Sequence, residues 1–311
     1  MSNYKTSDSM NPSEELISTP IGAASFSIEA RTNPSNNVTA YGDLARQSGK
    51  APQTGHLIIN ADDWGQDRET TERIFDCVAH KSVSSVSAMV FMEDSERAAA
   101  MAGESSIDTG LHLNFTTPFS ARQCQAQLKE HQRQIRSYLL RHRLALVMFH
   151  PGLVRSFKYV VAAQLDEFNR LYGKYPSRLD GHHHMHLCAN VLLGKLLPPG
   201  TIVRRNFSFQ LGEKSLTNRL YRKAVDRGLA RRHHLVDFMF SLQPIESPGR
   251  LERIRSLAHQ FVVEVESHPA KADEYRFLTG GEAERWTEDV PIAASFFVPP
   301  RGRVVSLGEQ P

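Results

Sequence analysis

Seven consecutive residues, 180 to 186, read Asp-Gly-His-His-His-Met-His and so carry one carboxylate and four imidazoles. Imidazole and carboxylate groups are the ligands that zinc and similar divalent ions prefer. In an extended segment alternate side chains point to the same side, which would group one carboxylate with three imidazoles: Asp180, His182, His184 and His186. The alternative, an exposed histidine-rich turn, is less favoured because Leu179 and Leu187 flank the run like buried positions. The run therefore predicts a metal-binding segment of a folded domain.

Four further residues that could bind a metal or move a proton stand at or near the ends of predicted strands. Asp62 and Asp63 follow a short apolar run, His112 alternates with two leucines, and His268 follows a valine-rich run. Each has a simple structural interpretation when taken alone: a helix cap or turn for the aspartates, a core histidine, and a strand end before Pro269. Their shared placement at strand ends favours a common site.

The elements that would position these residues alternate between strand and helix. Apolar runs predict strands at 56–60, 84–91, 107–115, 177–182, 201–204, 235–240 and 261–266. Helices are predicted between them, including a long polar helix over 121–147 and another over 154–172. Such alternation implies parallel strands joined by helices, and this many units favour a closed barrel over an open doubly wound sheet. The fold class is therefore predicted as α/β, a distorted (β/α) TIM-like barrel with its site at the carboxyl ends of the strands.

These residues together could hydrolyse an acyl compound. A catalytic metal usually takes three protein ligands and keeps a position open for water, and Asp63, His112 and His182 make such a set. Two adjacent carboxylates cannot point the same way from an extended backbone, so Asp62 would face substrate and accept the water's proton. His268 could then protonate the leaving group. The predicted reaction is metal-assisted hydrolysis, most naturally of an amide.

Composition argues against several other classes of protein. The 311 residues are 40% hydrophobic and 23% charged, and the net charge of +3 is spread along the chain. We therefore expect a soluble globular protein with no nucleic-acid partner and no membrane span, and interpret the basic stretches 133–143 and 219–232 as solvated helix faces. The three cysteines lie far apart and no secretory signal is recognised, which predicts a cytoplasmic location.

The chain divides into three predicted segments. Residues 1–54 are rich in Ser, Thr, Asn, Pro and Gly and are interpreted as a disordered or loosely attached tail. Residues 55–290 form the predicted barrel, and residues 291–311 form a C-terminal extension.

Four motifs occur in the order and at about the spacing of a known family. They are Asn60-Ala-Asp-Asp-Trp-Gly65, Gly110-Leu-His-Leu-Asn-Phe-Thr116, Asp180-Gly-His-His-His-Met-His186 and Glu266-Ser-His-Pro269. In these residues the chain resembles the YdjC-like carbohydrate deacetylases, a group that includes chitooligosaccharide deacetylases and hopanoid-biosynthesis deacetylases. The resemblance covers about residues 55–285, and its first three motifs are specific in combination.

The resemblance implies an enzyme that removes an N-acetyl group from an amino sugar or oligosaccharide with the help of a divalent ion, Mg²⁺ or Zn²⁺. It implies Asp63, His112 and His182 as the metal ligands, with Asp62 as the base. His184 and His186 would contact substrate or support the ligands, although which histidine of the run binds the metal is left open.

Alternatives remain for one residue and for the function. Arg204 could hold a sugar hydroxyl or a carboxylate, or form a surface ion pair. The chain could hydrolyse another amide or an ester on the same scaffold, or could be a non-catalytic sugar-binding module that contains a metal. Whether the protein forms a homodimer is left open.

Overall fold

The structure of the protein is a computed structural model, and it describes residues 55–141, 143–210, 213–247, 249–290 and 292–298. The predicted N-terminal tail, residues 1–54, lies outside the described residues, as does most of the predicted C-terminal extension.

Strands and helices alternate through the described part of the chain. The strands are β1 (His56–Trp64), β2 (Ser85–Ala88), β3 (Thr109–Leu113), β4 (Arg178–Gly181), β5 (Ile202–Val203), β6 (Phe238–Ser241) and β7 (Val262–Ser267). The helices are α1 (Arg68–Ala79), α2 (Ser95–Glu104), α3 (Ala126–Leu139), α4 (Val154–Tyr172), α5 (Ala189–Leu193), α6 (Leu216–Leu229), α7 (Arg250–Ala258), α8 (Ala272–Thr279) and α9 (Glu282–Trp286). Short 3-10 helices lie at Arg143–Leu146, Pro151–Leu153 and His182–Leu187.

The strands of the described chain form one parallel sheet in the order β5-β4-β3-β2-β1-β7-β6. The sheet is curled into a half-barrel, and its two edges approach each other at the segment that leads into β6. There the amide of Val203 donates to the carbonyl of His234 at 3.0 Å, and the amide of His234 donates to the carbonyl of Thr201 at 3.0 Å. The predicted α/β class with a distorted barrel is confirmed.

Alternate residues of each strand face opposite sides of the sheet, as pleating requires. Outward residues such as Leu57, Val86, Leu111 and Val265 belong to the main hydrophobic core, which lies between the sheet and the helices. The inward residues are largely polar: Asn60, Asp62, Ser85, Ser87, His112, Asp180, Glu264 and Glu266 are all buried. The inner face of the half-barrel is therefore a buried polar network, and this network supplies the site.

The prediction of one long helix over residues 121–147 is wrong. Helix α3 covers only Ala126–Leu139, and a separate 3-10 helix follows at Arg143–Leu146. The amide of Leu140 donates to Arg136 and the amide of Arg141 donates to Tyr138, so the hydrogen bonds tighten where α3 ends. Neither glycine nor proline marks that point, so the usual sequence signals for a helix end are missing. The helix predicted over 154–172 is confirmed as α4.

Residues 292–298, from the predicted C-terminal extension, pack against the amino ends of two strands. The amide of Ala293 donates to the carbonyl of Leu57 at 2.8 Å, and the Phe296 ring lies 4.6 Å from the Arg178 guanidinium. Among the described residues, no helix combines the length and the apolar character that crossing a membrane would require. The three cysteines are free thiols.

Candidate active site

The end of β1 is bulged, and the bulge aims two neighbouring carboxylates at one place. The pairing of β1 with β2 slips between Ala61 and Trp64, and Asp63 has a φ of 71°. A left-handed residue interrupts the alternation of side chains. Oδ2 of Asp62 and Oδ1 of Asp63 therefore lie 3.9 and 3.3 Å from Nε2 of His112. The expectation that the two carboxylates point apart is wrong, because the backbone between them is not extended.

The structure brings together the three residues predicted as metal ligands. Asp63, His112 and His182 each offer one ligand atom, and these atoms all lie within 4.8 Å of one another. Oδ1 of Asp63 lies 2.8 Å from Nδ1 of His182. Nε2 of His112 is buried and has no hydrogen-bond partner among the residues that the structure describes, which is costly unless another ligand completes the site. The donor set and this unpartnered nitrogen fit a divalent cation held by one carboxylate and two imidazoles.

A second group of potential ligands, Asp62, His112 and Asp180, lies immediately below the first. Both of its carboxylates already pair with the buried guanidinium of Arg204, and Nδ1 of His112 already contacts Asp180. These ligand atoms are committed to protein partners. The upper group, which includes Asp63 and His182, is therefore the better candidate for the metal.

Asp180 orients the His112 ring from below. Oδ1 of Asp180 accepts from Nδ1 of His112 at 2.8 Å, while Oδ2 accepts from the Ser87 hydroxyl at 2.5 Å. This contact turns Nε2 of His112 towards the metal position. Burial lowers the pKa of His112, but the Asp62 and Asp180 carboxylates outweigh it and raise that pKa to about 10. The carboxylates around this ring thus favour a positive charge there, and a divalent cation bound to the deprotonated Nε2 would supply that charge in place of a proton.

The histidine run is not extended, so the predicted alternation of its side chains is wrong. Strand β4 ends at Gly181, and the residues after it form a 3-10 helix in which His183 and His184 have positive φ values of 54° and 55°. Gly181 permits this turn, because a Cβ there would lie 3.0 Å from the His186 side chain and backbone. The run therefore sends its rings in different directions, and only His182 faces Asp63.

The other histidines of the run have different surroundings. Nε2 of His184 lies 3.0 Å from Oε2 of Glu266, and its ring packs against Phe207 at 4.5 Å. His186 is fully buried and shares a hydrogen bond with the Arg204 carbonyl at 3.0 Å, and its burial lowers its pKa to about 3. His184 borders the open side of the site, whereas His186 supports the backbone beneath it.

Arg204 lies under the site, where its guanidinium is bound on all sides by acids. It holds Asp62 through two hydrogen bonds of 2.6 and 2.7 Å and contacts Asp180 at 3.0 Å. It also contacts Glu264 at 2.7 Å and Glu266 at 3.3 Å. Its side chain is only 1% exposed. A direct contact with a sugar hydroxyl, or a surface ion pair, is therefore excluded for Arg204. The guanidinium that was expected to contact substrate instead anchors four acids on three strands, β1, β4 and β7.

His268 and Asp62 face each other across the site. Nε2 of His268 lies 4.0 Å from Oδ2 of Asp62, and the His268 side chain is 22% exposed. The buried Glu274 carboxylate accepts from the His268 amide at 2.7 Å. Burial lowers the pKa of His268, but the Glu274 and Asp62 carboxylates raise it by more than burial lowers it. The pKa of His268 therefore lies above the usual value. The ring is thus favoured in its protonated form beside an acidic group.

Sequence reasoning assigned no role to several residues that shape this site: Asn60, Ser87, His183, Glu264, Glu266 and Glu274. Glu264 and Glu266 were detectable, because they alternate with valines in a strand that is otherwise apolar. Charged residues at every second position of a buried strand indicate a polar inner face. No comparable sequence signal marks Ser87 or Glu274.

Comparison with known proteins shows which family the chain belongs to. Residues 56–290 match the model of a family described as YdjC-like protein. The chain belongs to the YdjC-like family. This confirms the family resemblance that the four sequence motifs predicted.

Named relatives of the YdjC-like chain are deacetylases. It is 26% identical over 242 residues to the chitooligosaccharide deacetylase of Yersinia pestis (strain Pestoides F), covering 75% of this chain and 88% of the relative. It is 29% identical over 136 residues to the chitooligosaccharide deacetylase of Serratia marcescens, covering 42% of this chain and 50% of the relative. These names agree with the enzyme class predicted from the sequence.

A solved structure shows a similar fold. A protein from Enterococcus faecalis V583, provisionally described as a cellobiose-phosphate cleavage protein, superposes with a TM-score of 0.55 at 19% identity. The match covers 78% of the YdjC-like chain and 97% of that protein.

Proposed function

We propose that this YdjC-like protein is a metal-dependent deacetylase that hydrolyses the N-acetyl group of an amino sugar or oligosaccharide. The observation that carries the proposal is the meeting of Asp63, His112 and His182 around an unpartnered imidazole nitrogen, next to the Asp62 carboxylate and the His268 ring. The substrate class comes from the chitooligosaccharide deacetylases to which the chain is similar.

Asp63, His112 and His182 would hold the divalent ion. When bound, such an ion polarises the acetyl carbonyl and lowers the pKa of a water molecule, which is the chemistry that amide hydrolysis needs. Both zinc and magnesium suit a site of this kind, since imidazole favours the former and carboxylate the latter.

Asp62 would accept the proton of the attacking water. Its Oδ1 accepts from Asn60 and from Arg204, each at 2.7 Å, whereas Oδ2 accepts one hydrogen bond from Arg204 and faces His112 and His268. Arg204 fixes the carboxylate while a lone pair of Oδ2 stays directed into the site. The base is therefore oriented before substrate binds.

His268 would donate a proton to the departing amine through Nε2. Its position opposite Asp62 separates the base from the acid, and the Glu274 and Asp62 carboxylates raise the pKa of His268, which favours the protonated ring that this role needs. His184 and Phe207 lie at the edge of the site, where an aromatic ring and a polar ring would contact the sugar.

Acetate release from N-acetylglucosamine oligomers tests the proposal. We expect purified protein to release acetate, to lose the activity on chelation, and to regain it with Zn²⁺ or Mg²⁺. Asp62→Asn should retain the ion but lower kcat by a factor of about 10²–10⁴, because only the base is lost. His112→Ala should lose both the ion and turnover.

His80→Ala is the matched control, because His80 is exposed and pairs only with Asp76 at the end of α1. It should retain wild-type metal content and activity. Full turnover in His112→Ala would refute the ligand set. If the protein hydrolysed simple acetyl esters and not N-acetylated sugars, the proposed function would change from a deacetylase to an esterase on the same scaffold.

A further inference from the structure

The outer face of α6 carries an exposed stripe of leucines and cations. The stripe consists of Leu216, Leu220, Lys223, Arg227 and Arg231, spaced three or four residues apart, so that they share one side of the helix and its C-terminal continuation. Leu216 and Leu220 are 64% and 56% exposed. The last four of these residues, together with Ala224 and Gly228, line a depression of about 440 Å³.

The cations of the stripe have no counter-charge within the described chain. No described carboxylate lies within 4 Å of Lys223, Arg227 or Arg231, whereas Arg133 pairs with Glu130 at 2.7 Å. The acid within this part of the helix, Asp226, is buried and bound by Arg205. The outer face of α6 is thus positive, and its charge is available to a ligand outside the molecule.

Further exposed apolar side chains lie on α5 and on the segment between α3 and α4. On α5, Leu193 is 69% exposed, and in that segment Met148 and Phe149 are 49% and 42% exposed. The Asn190 side chain of α5 joins this segment by two hydrogen bonds with the His150 backbone, of 2.8 and 2.9 Å. The segment, α5 and α6 follow β3, β4 and β5 in the chain, so they occupy one side of the half-barrel.

We call the stripe the docking face and define it by its five residues: Leu216, Leu220, Lys223, Arg227 and Arg231.

We propose that the docking face binds the surface of an anionic lipid bilayer. Exposed leucines enter the boundary between headgroups and acyl chains, and Lys or Arg side chains beside them contact lipid phosphates. Both kinds of group are present on one helix side, and no carboxylate of the described residues pairs with the cations. A second copy of the chain fits less well, because a two-fold contact through this face would bring like charges together. Nucleic acid fits less well, because its phosphates gain nothing from exposed leucines.

Binding of the full-length chain to vesicles tests this inference. We expect it to co-sediment with vesicles that contain phosphatidylglycerol and not with vesicles of phosphatidylcholine alone, and to be released by 0.5 M salt. The triple variant K223Q/R227Q/R231Q should bind about a hundredfold more weakly, at about fivefold for each cation.

The matched control is R68Q/R133Q/R255Q, which removes the same net charge from three arginines outside the docking face, each paired with a carboxylate of its own helix. It should bind within about twofold of wild type. A separate variant, L216S/L220S, should weaken binding while its net charge stays unchanged. None of these residues touches the candidate active site, so acetate release should be unaltered in all three variants.

Three results would overturn the inference. Equal losses in the two triple variants would show that overall charge alone governs binding. Tight binding to RNA or duplex DNA without binding to vesicles would assign the face to nucleic acid. Self-association that disappears in L216S/L220S would assign it to a second copy of the chain.

Discussion

A single backbone conformation, at Asp63, decides how the acids of this site are used. Its φ of 71° places Asp63 beside His112 and His182, while Asp62 stays in the strand register and reaches Arg204. The motif Asp-Asp identified both residues, but only the bulge assigns different partners to them. Non-glycine residues rarely hold this conformation, and those that do are often found at functional sites.

Glu264 is a titratable group within the buried polar network on the inner face of the half-barrel. It is fully buried below Glu266, and one of its carboxylate oxygens has no hydrogen-bond partner in the described chain. Burial is the largest cause and raises the pKa of Glu264 to about 7, although Arg204 opposes the rise. The folded state therefore binds a proton that the unfolded chain releases above about pH 4.5.

This difference predicts how stability changes with pH. Because the pKa of Glu264 is higher in the folded state, its contribution is fully present below about pH 4.5 and is lost as pH rises towards 7. The loss across that window is about 3 kcal/mol in the limit of an isolated group. In Glu264→Gln this part of the slope should be absent.

Urea unfolding of both proteins at pH 4.5, 5.5, 6.5 and 7.5, with chelator present, measures the effect. We expect the two stability curves to diverge as pH falls. Parallel curves would show that Glu264 does not titrate in this range.

At the scale of elements, Arg204 joins strands that are distant in sequence. It follows β5 and binds acids from β1, β4 and β7. Such a buried guanidinium is stable only because every one of its donors has an acceptor. The same contacts hold Asp62 in place, so stability and the orientation of the candidate base depend on one side chain.

Removal of this side chain should therefore be severe. Arg204→Met leaves buried carboxylates uncompensated, and we expect it to lower the free energy of unfolding by about 3–5 kcal/mol, as measured by urea unfolding. Arg204→Lys, which keeps the charge but loses the planar fork, should recover part of the loss.

Arg133→Met is the control for this prediction. Arg133 pairs with Glu130 on the exposed side of α3, and its removal should leave the unfolding curve unchanged. A similar response of Arg133→Met and Arg204→Met would show that the inner network contributes no special stability.

At the scale of the whole molecule, the candidate ligands connect the ends of three strands. Asp63 ends β1, His112 lies in β3 and His182 follows β4. A cation bound to all three would bind the folded state and not the unfolded chain. Metal binding should therefore stabilise the entire half-barrel.

Thermal unfolding can detect this linkage. At a free metal concentration a hundredfold above its dissociation constant, the stabilisation is about 2.7 kcal/mol, which corresponds to a rise in Tm of about 5–10 °C. We expect this rise when Zn²⁺ or Mg²⁺ is added to chelator-treated protein, and no rise in Asp63→Asn. An equal rise in wild type and Asp63→Asn would place the bound ion elsewhere.

The sequence by itself determined the alternation of strand and helix, the family, and the residues that meet at the site. It could do so because buried strands are apolar runs and because catalytic motifs keep their residue types. The cytoplasmic location stays a prediction, and whether the protein forms a homodimer stays open.

Only the tertiary structure decided what each side chain faces. It showed that His182–Leu187 is a 3-10 turn, that Asp62 and Asp63 converge, and that Arg204 is buried among acids. The physical reason is that side-chain direction depends on local backbone angles and on partners from distant strands. Residue type and spacing determine neither the backbone angles nor the distant partners.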